Sequence, residues 1–177
     1  MEIERKYLVN ELPKNLDSYP HTEIEQGYLC TSPTLRIRRM GDVFVLTVKE
    51  HLAGTSTAIQ NREEEFTMPR SSYERLKAKC DGNMVEKTRY KIPLNSQFSG
   101  LSARTPGLNS QFPLTAELDL FHGAHEGLRL VEVEFPSVEA ADAFIPPSWF
   151  GEDVSADPRY RNSYLAQFSI LNSQFSI

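Results

Sequence analysis

Cysteine, histidine and tryptophan are scarce in this chain: two, four and one among 177 residues. Cys30 and Cys80 lie fifty positions apart with no CxxC spacing, which argues against a cysteine zinc site and against a disulfide framework. Apolar runs are short. None approaches the ~18 residues of a membrane span, and the opening Met-Glu-Ile-Glu-Arg-Lys has no apolar stretch of the kind a secretory signal needs. A cytoplasmic protein is therefore expected, with no membrane partner. Positive charge is also in deficit, with 19 basic against 24 acidic residues and a net charge of −5. A surface that wraps nucleic acid is not expected from that balance. No GxxxxGK[ST] is present, so any phosphate chemistry runs without a P-loop. What remains is ordinary for a folded protein: 40% hydrophobic and 24% charged, at a length suited to one domain.

One part of the chain differs from the rest. LNSQFSG, LSARTPG and LNSQFPL follow one another over 94–114, and the chain closes with LAQFSI and LNSQFSI. Leucine returns every seven residues, but Gly100, Pro106 and Gly107 break any helix and no flanking charges accompany the leucines, so a coiled coil is not expected. The nucleotide unit CTCAATT read three times in succession encodes Leu-Asn-Ser-Gln-Phe-Ser-Ile, the terminal heptapeptide. Tandem DNA repeats are the expected origin of both segments. The organisation expected is a single domain over 1–166, with 95–113 a flexible repeat-derived insertion and 167–177 a frayed tail.

Elsewhere the period is two, and one alternating face is charged. Glu2, Glu4 and Lys6 share a face against Ile3, Tyr7 and Val9; Arg36 and Arg38 oppose Leu35 and Ile37; Thr47 and Lys49 oppose Leu46 and Val48. Glu63 and Glu65, then Lys87, Arg89 and Lys91, then Glu117 and Asp119, then Glu132 and Glu134 continue the pattern. With 23–30, where Gln26 and Tyr28 share a face, these make eight strands. Short helices are expected at 71–79, opened by a Ser71-x-x-Glu74 capping box, at 137–145, at 157–168 with Ser155 or Asp157 as cap, and more briefly near Leu12–Tyr19.

Charged strand faces usually look into water. Here the charges come as same-sign pairs two residues apart, whereas a solvated strand gains most by mixing signs. The opposite faces are apolar and helices are available to cover them, so the charged faces can close inward as a barrel. A lumen of carboxylates and cations is costly unless ions fill it. Carboxylates without His or Cys are hard oxygen ligands suited to Mg²⁺ or Mn²⁺, and clustered Arg and Lys hold phosphate oxygens. Metal, cationic cradle and water together are the parts of phosphoryl transfer.

Glu2-Ile-Glu4-Arg-Lys6 resembles the ExExK signature of the CYTH superfamily, the triphosphate tunnel metalloenzymes. It is followed in order by QGYL (26–29), LRIRR (35–39), LTVKE (46–50), REEEFTMP (62–69), EKTRYKIP (86–93), ELDLF (117–121), LVEVEF (130–135) and PSWFGEDVSADPRYRNSYLA (147–166). The resemblance implies a mainly β (α+β) fold: an eight-stranded antiparallel closed β-barrel, a tunnel with charged lumen, flanked by a few short helices.

It also implies roles. Glu2, Glu4, Glu132 and Glu134 match metal ligands; Glu63 and Glu65 match a second ion site or a hold on the attacking water; Glu117 and Asp119 match another acidic pair at or just behind the metal. Lys6, Arg36, Arg38, Lys87 and Arg89 match the substrate cradle, and Arg159 a basic residue at the tunnel mouth. Tyr28 and Lys49 match a catalytic pair of the inorganic triphosphatases, in which the lysine activates water. Such a lysine acts as a base only if its surroundings depress its pKa towards neutrality. The alternative is that Lys49 binds phosphate. The activity implied is hydrolysis of a small triphosphate, inorganic tripolyphosphate first, by a monomer or homodimer using Mg²⁺ or Mn²⁺. Rivals are a class IV type adenylyl cyclase, a thiamine triphosphatase, and a noncatalytic polyphosphate- or nucleotide-binding module. His122 and His125 read as surface histidines, and Trp149 as a packed corner.

Overall fold

A computed structural model describes residues 2–52, 59–94 and 114–168. The insertion expected at 95–113 and most of the tail expected at 167–177 lie outside the described residues, although Gln167 still belongs to a helix.

Eight strands follow the predicted alternation: β1 (Glu2–Val9), β2 (His21–Thr31), β3 (Thr34–Met40), β4 (Val43–Leu52), β5 (Ile59–Thr67), β6 (Asp81–Pro93), β7 (Thr115–Phe121) and β8 (Arg129–Glu134). Neighbours pair in the order β5-β4-β3-β2-β6-β7-β8-β1, and β1 pairs back to β5 with Glu2, Ile3 and Glu4 opposite Asn61, Gln60 and Ile59. Every pairing is antiparallel, so the ladders run round a ring. Because side chains alternate across a strand, ring closure puts one complete set inside.

A ninth strand, β9 (Phe150–Asp153), takes over the free edge of β1 beyond β5, with Tyr7 opposite Asp153 and Val9 opposite Phe150. Alternation does not reveal it, since FGED offers no apolar period. Gly151 permits the close approach: a Cβ there would stand 2.9 Å from Asn10 Oδ1 and 3.2 Å from the Leu8 backbone. Arg5, on the outer face, ties this edge down, with Nη2 2.5 Å from Asp153 Oδ2 and Nη1 donating to the Ala141 carbonyl at 2.8 Å.

Among the described residues, three helices cover the barrel. The first, α1 (Arg70–Lys77), begins after Pro69 without a side-chain cap, so the expected Ser71/Glu74 capping box does not form. Its Tyr73 is buried and donates to Glu25 on β2 at 2.8 Å. The second, α2 (Val138–Asp142), is capped by Ser137, which accepts from the Ala140 amide at 3.2 Å. It packs Ala140 and Ala141, with Phe144, Phe150 and Trp149, on the outward residues Ile3, Tyr7, Leu118, Val131 and Val133. That cluster is the main core and includes the corner expected at Trp149.

The third, α3 (Asn162–Gln167), is shorter than expected, since Pro158–Tyr160 forms a separate 3₁₀ turn capped by Asp157. It sits over one end of the barrel. Leu165 and Ala166 bury against Tyr28, Val85, Phe121 and Leu130, which share the inward phase of the charged residues. Gly82 (φ +75°) makes room, because a Cβ there would lie 2.3 Å from the Ala166 carbonyl oxygen.

His125 departs from its reading as a surface residue. It is 1% exposed, edge-on to Phe121 at 6.3 Å, and neither ring nitrogen makes a well-formed hydrogen bond. Burial pushes its pKa below the ordinary 6.5, and only the Leu165 backbone favours the charged form. The unfolded chain therefore takes up a proton that the folded chain resists, and stability falls as pH drops below about 6.5. His125→Phe is expected to flatten the decline of Tm between pH 7.5 and 5.5; an unchanged slope would mean the imidazole is protonated in place.

The described ends of the 95–113 segment meet. Leu94 N donates to the Leu114 carbonyl at 2.8 Å, Pro93 pairs with Thr115, and both leucines are buried. A variant with 95–113 replaced by a short turn is expected to keep its Tm and its activity; a large loss of kcat would give the segment a role.

Candidate active site

The interior of the ring is a cavity of about 450 Å³. Of the eight acids singled out in the sequence, Glu2, Glu4, Glu63, Glu65, Glu117, Glu132 and Glu134 line it, together with Lys6, Tyr28, Arg36, Arg38, Lys49, Lys87 and Arg89. Strand register explains the convergence. Glu4 lies directly opposite Glu134, and Lys6 opposite Glu132, in the β1–β8 ladder; Glu132 is in turn opposite Glu117 on β7. Three neighbouring strands thus carry two carboxylate-against-carboxylate rungs, an arrangement that by itself destabilises a sheet.

The protonation preferences follow. Burial, then Glu132, raises the pKa of Glu4. Burial, Glu2 and Glu117 raise Glu134 to about 7. Glu132 goes the other way: burial opposes its charge, but Lys6, Arg89 and Lys87 outweigh it and hold the carboxyl well below the usual range. Lys6 Nζ stands 2.7 Å from Glu132 Oε1, and Arg89 Nη2 2.6 Å from Glu132 Oε2. Among the described residues no three carboxylates, histidines or cysteines converge as a finished metal centre. The donor set is nonetheless one a hard divalent cation suits, being all carboxylate and mutually repelling.

The β3–β5 wall is cationic with attached acids. Arg36 Nη2 bonds Glu63 at 3.0 Å and Thr47 at 3.2 Å, while Arg38 Nη2 donates to Glu65 at 2.6 Å. The Nε atoms of Arg36 and Arg38 are buried donors with no acceptor. Burial and the guanidiniums of Arg36 and Arg89 push Arg38 below its ordinary pKa, the mark of cations crowded together from β3 and β6.

Lys49 stands among acids. Its Nζ is 2.7 Å from Glu2 Oε2 and 3.0 Å from Glu63 Oε2. Burial favours the neutral amine, but Glu4, Glu2 and Glu63 prevail and raise its pKa above the ordinary lysine value. The lysine whose pKa is depressed is Lys87, lowered to about 8 by burial and by Arg89. Tyr28, buried at the α3 end, accepts a hydrogen bond from Gln26 Nε2 at 3.0 Å.

Arg159 is absent from the cavity lining. Its side chain is 52% exposed and pairs with Asp157 at 2.5 Å. Two residues on, Arg161, Asn162 and Ser163 at the start of α3 line the cavity instead. The sequence signal was present in the RYRN run, but spacing along a turn could not say which arginine points in. The same segment touches both buried lysines: Lys6 Nζ donates to the Tyr160 carbonyl at 3.3 Å, and Lys87 Nζ to Asn162 Oδ1 at 3.5 Å.

The profile of the CYTH domain matches residues 1–140, which include β1–β8 and every predicted acid. The chain belongs to the CYTH domain family. It is 40% identical over 172 residues to an inorganic triphosphatase of Nitrosomonas europaea, covering 93% of this chain and 96% of the relative. It is 35% identical over 173 residues to an inorganic triphosphatase of Acetivibrio thermocellus, at 94% and 93% coverage. A crystal structure of an inorganic triphosphatase superposes with a TM-score of 0.62 at 36% identity, covering 95% of each chain.

The Glu4/Glu134 rung yields a prediction. With EDTA at pH 8, Glu134→Gln is expected to raise Tm by ~2–4 °C, the shift that about 1 kcal/mol gives a chain of this size, because one repelling charge is gone. A lowered Tm would show that the pair is not in conflict.

Proposed function

We propose that the protein is a divalent-metal-dependent triphosphatase that hydrolyses inorganic tripolyphosphate to diphosphate and phosphate. The observation that carries this reading is the pair of cross-strand carboxylate rungs, Glu4–Glu134 and Glu117–Glu132, in one cavity with Lys6, Arg36, Arg38, Lys87 and Arg89. Acids without His or Cys suit Mg²⁺ or Mn²⁺, and cations with spare donors suit phosphate oxygens. The names of the two relatives point the same way.

Glu2, Glu4, Glu132 and Glu134 would hold the metal, with Glu63 and Glu65 at a second ion or on the attacking water. A bound ion supplies neutralisation of phosphate oxygens and a more acidic water. The chain's own part is to bind and orient. Lys6, Lys87 and Arg89 on one wall and Arg36 and Arg38 on the other grip the phosphates, with the unpartnered Nε atoms of the two β3 arginines as donors in reserve. Arg161 takes the position at the α3 end that the sequence had given to Arg159. Lys49, paired with Glu2 and Glu63 in the lumen, serves as a cation for phosphate. A small substrate is supported by the lining: among its described residues Tyr28 is the only aromatic, and its hydroxyl is tied to Gln26. Free Cys30 and Cys80 agree with a reducing, cytoplasmic setting.

Phosphate release should be measured from tripolyphosphate, ATP and thiamine triphosphate in parallel, each with Mg²⁺ and with Mn²⁺. Tripolyphosphate is expected to be hydrolysed fastest, and Glu4→Gln to lose at least about tenfold at fixed metal concentration. Equal activity in Glu4→Gln would sink the metal assignment, and a cyclic product from ATP would make the protein a cyclase.

A further inference from the structure

Asp119 is the exception among the acids. It is 0% exposed and does not line the cavity, although Glu117, two residues before it on the same face of β7, does. Across the ladders it stands opposite Arg89 on one side and Leu130 on the other. Both of its oxygens are committed. Oδ1 accepts from Arg89 Nε at 2.6 Å; Oδ2 accepts from Arg89 Nη2 at 2.6 Å and from Lys87 Nζ at 2.5 Å. The Lys87 ammonium lies 5.3 Å from the Phe121 ring centroid, so little water is at hand to replace the carboxylate. Lys87 and Arg89 are like charges two residues apart, and without an anion between them neither position is stable.

Resting on the triphosphatase reading, we propose that Asp119 is a positioning residue for substrate: it fixes the Lys87 ammonium and the Arg89 guanidinium in the geometry that receives phosphate, and it is not a metal ligand. Unlike Glu132, which is also paired with two cations but lines the cavity, Asp119 lies wholly behind the cavity wall, out of reach of an ion in the cavity. A fork on Arg89 sets the plane of the guanidinium, and Arg89 then offers its remaining donors to Glu117 and Glu132 at the cavity wall. Lys87 is likewise bracketed, by Asp119 behind it and Asn162 Oδ1 beside it.

The test compares Asp119→Asn with Glu4→Gln in the full chain, reading Mn²⁺ binding by calorimetry and kcat and KM for tripolyphosphate at saturating Mn²⁺. Asp119→Asn is expected to bind Mn²⁺ within about twofold of the unaltered protein while KM rises about tenfold or more, the loss of a charge-assisted hydrogen bond. Glu4→Gln is expected to weaken Mn²⁺ binding by at least about tenfold. Weakened Mn²⁺ binding in Asp119→Asn would overturn the proposal, and so would an unchanged KM. Should Asp119→Asn fail to fold, Lys87→Met/Asp119→Asn removes both members of the buried pair and is compared with Lys87→Met. Mn²⁺ binding that matches in those two supports the proposal, and a further tenfold loss in the double variant overturns it. Absence of tripolyphosphate hydrolysis by the unaltered chain would instead defeat the triphosphatase reading, leaving the Mn²⁺ comparison to decide whether Asp119 is a ligand.

Discussion

The structure depends on neutralising charge inside a closed ring of strands. Once β1 pairs back to β5, Lys6, Arg36, Lys87, Asp119 and Glu132 of the inward phase are buried, and each of them is paired with an opposite charge inside the ring. Cations and acids do so in a chain of contacts that passes from Lys6 through Glu132, Arg89 and Asp119 to Lys87, and separately from Arg38 through Glu65 and Arg36 to Glu63, Lys49 and Glu2. Buried pairs of this kind add little net stability, since desolvation offsets most of their attraction. What they define is a set of positions for charged groups, and that is what a site for a metal and a polyanion requires.

Stability comes from apolar contacts placed where the charges are not. Outside the ring, α2 and Phe150 close a core over β1, β7 and β8. At one end the inward phase itself turns apolar, through Val85, Phe121 and Leu130, and α3 seats Leu165 and Ala166 on it. The division lets the same helix serve two ends. Its buried residues hold it on the barrel, and its first turn delivers Arg161 and Asn162 to the cavity. Gly82 and His125 belong to this arrangement, one by removing a Cβ from the path of α3 and the other by staying neutral behind it.

Much of this was legible in the chain. The phase of Glu2/Glu4/Lys6, of Arg36/Arg38 and of the pairs on β5–β8 was correct at every strand, because a period of two admits only two choices and the charges marked one of them. The inward direction was harder. Alternation is the same for a sheet facing water and for a tunnel, and it was same-sign pairing, apolar opposite faces with helices to cover them, and resemblance to the CYTH superfamily that favoured the tunnel. The short elements were missed or misdrawn where no period exists: β9, the capless start of α1, and the turn that separates Arg159 from Arg161. His125 was expected at the surface and the burial of Asp119 was not foreseen, for a common reason. Burial of a polar group depends on what other elements lay over it, here α3 for the histidine and the Lys87/Arg89 pair for the aspartate.

The sequence by itself therefore determined the strands, their two faces and the chemistry of the inward one, since these follow from local spacing and residue type. Tertiary structure alone decided which carboxylates confront each other, which are spent on cations, and which acids surround each lysine. Those outcomes rest on cross-strand register and on distances of a few ångströms between residues far apart in the sequence, where Coulomb energy in a partly desolvated cavity changes steeply with separation.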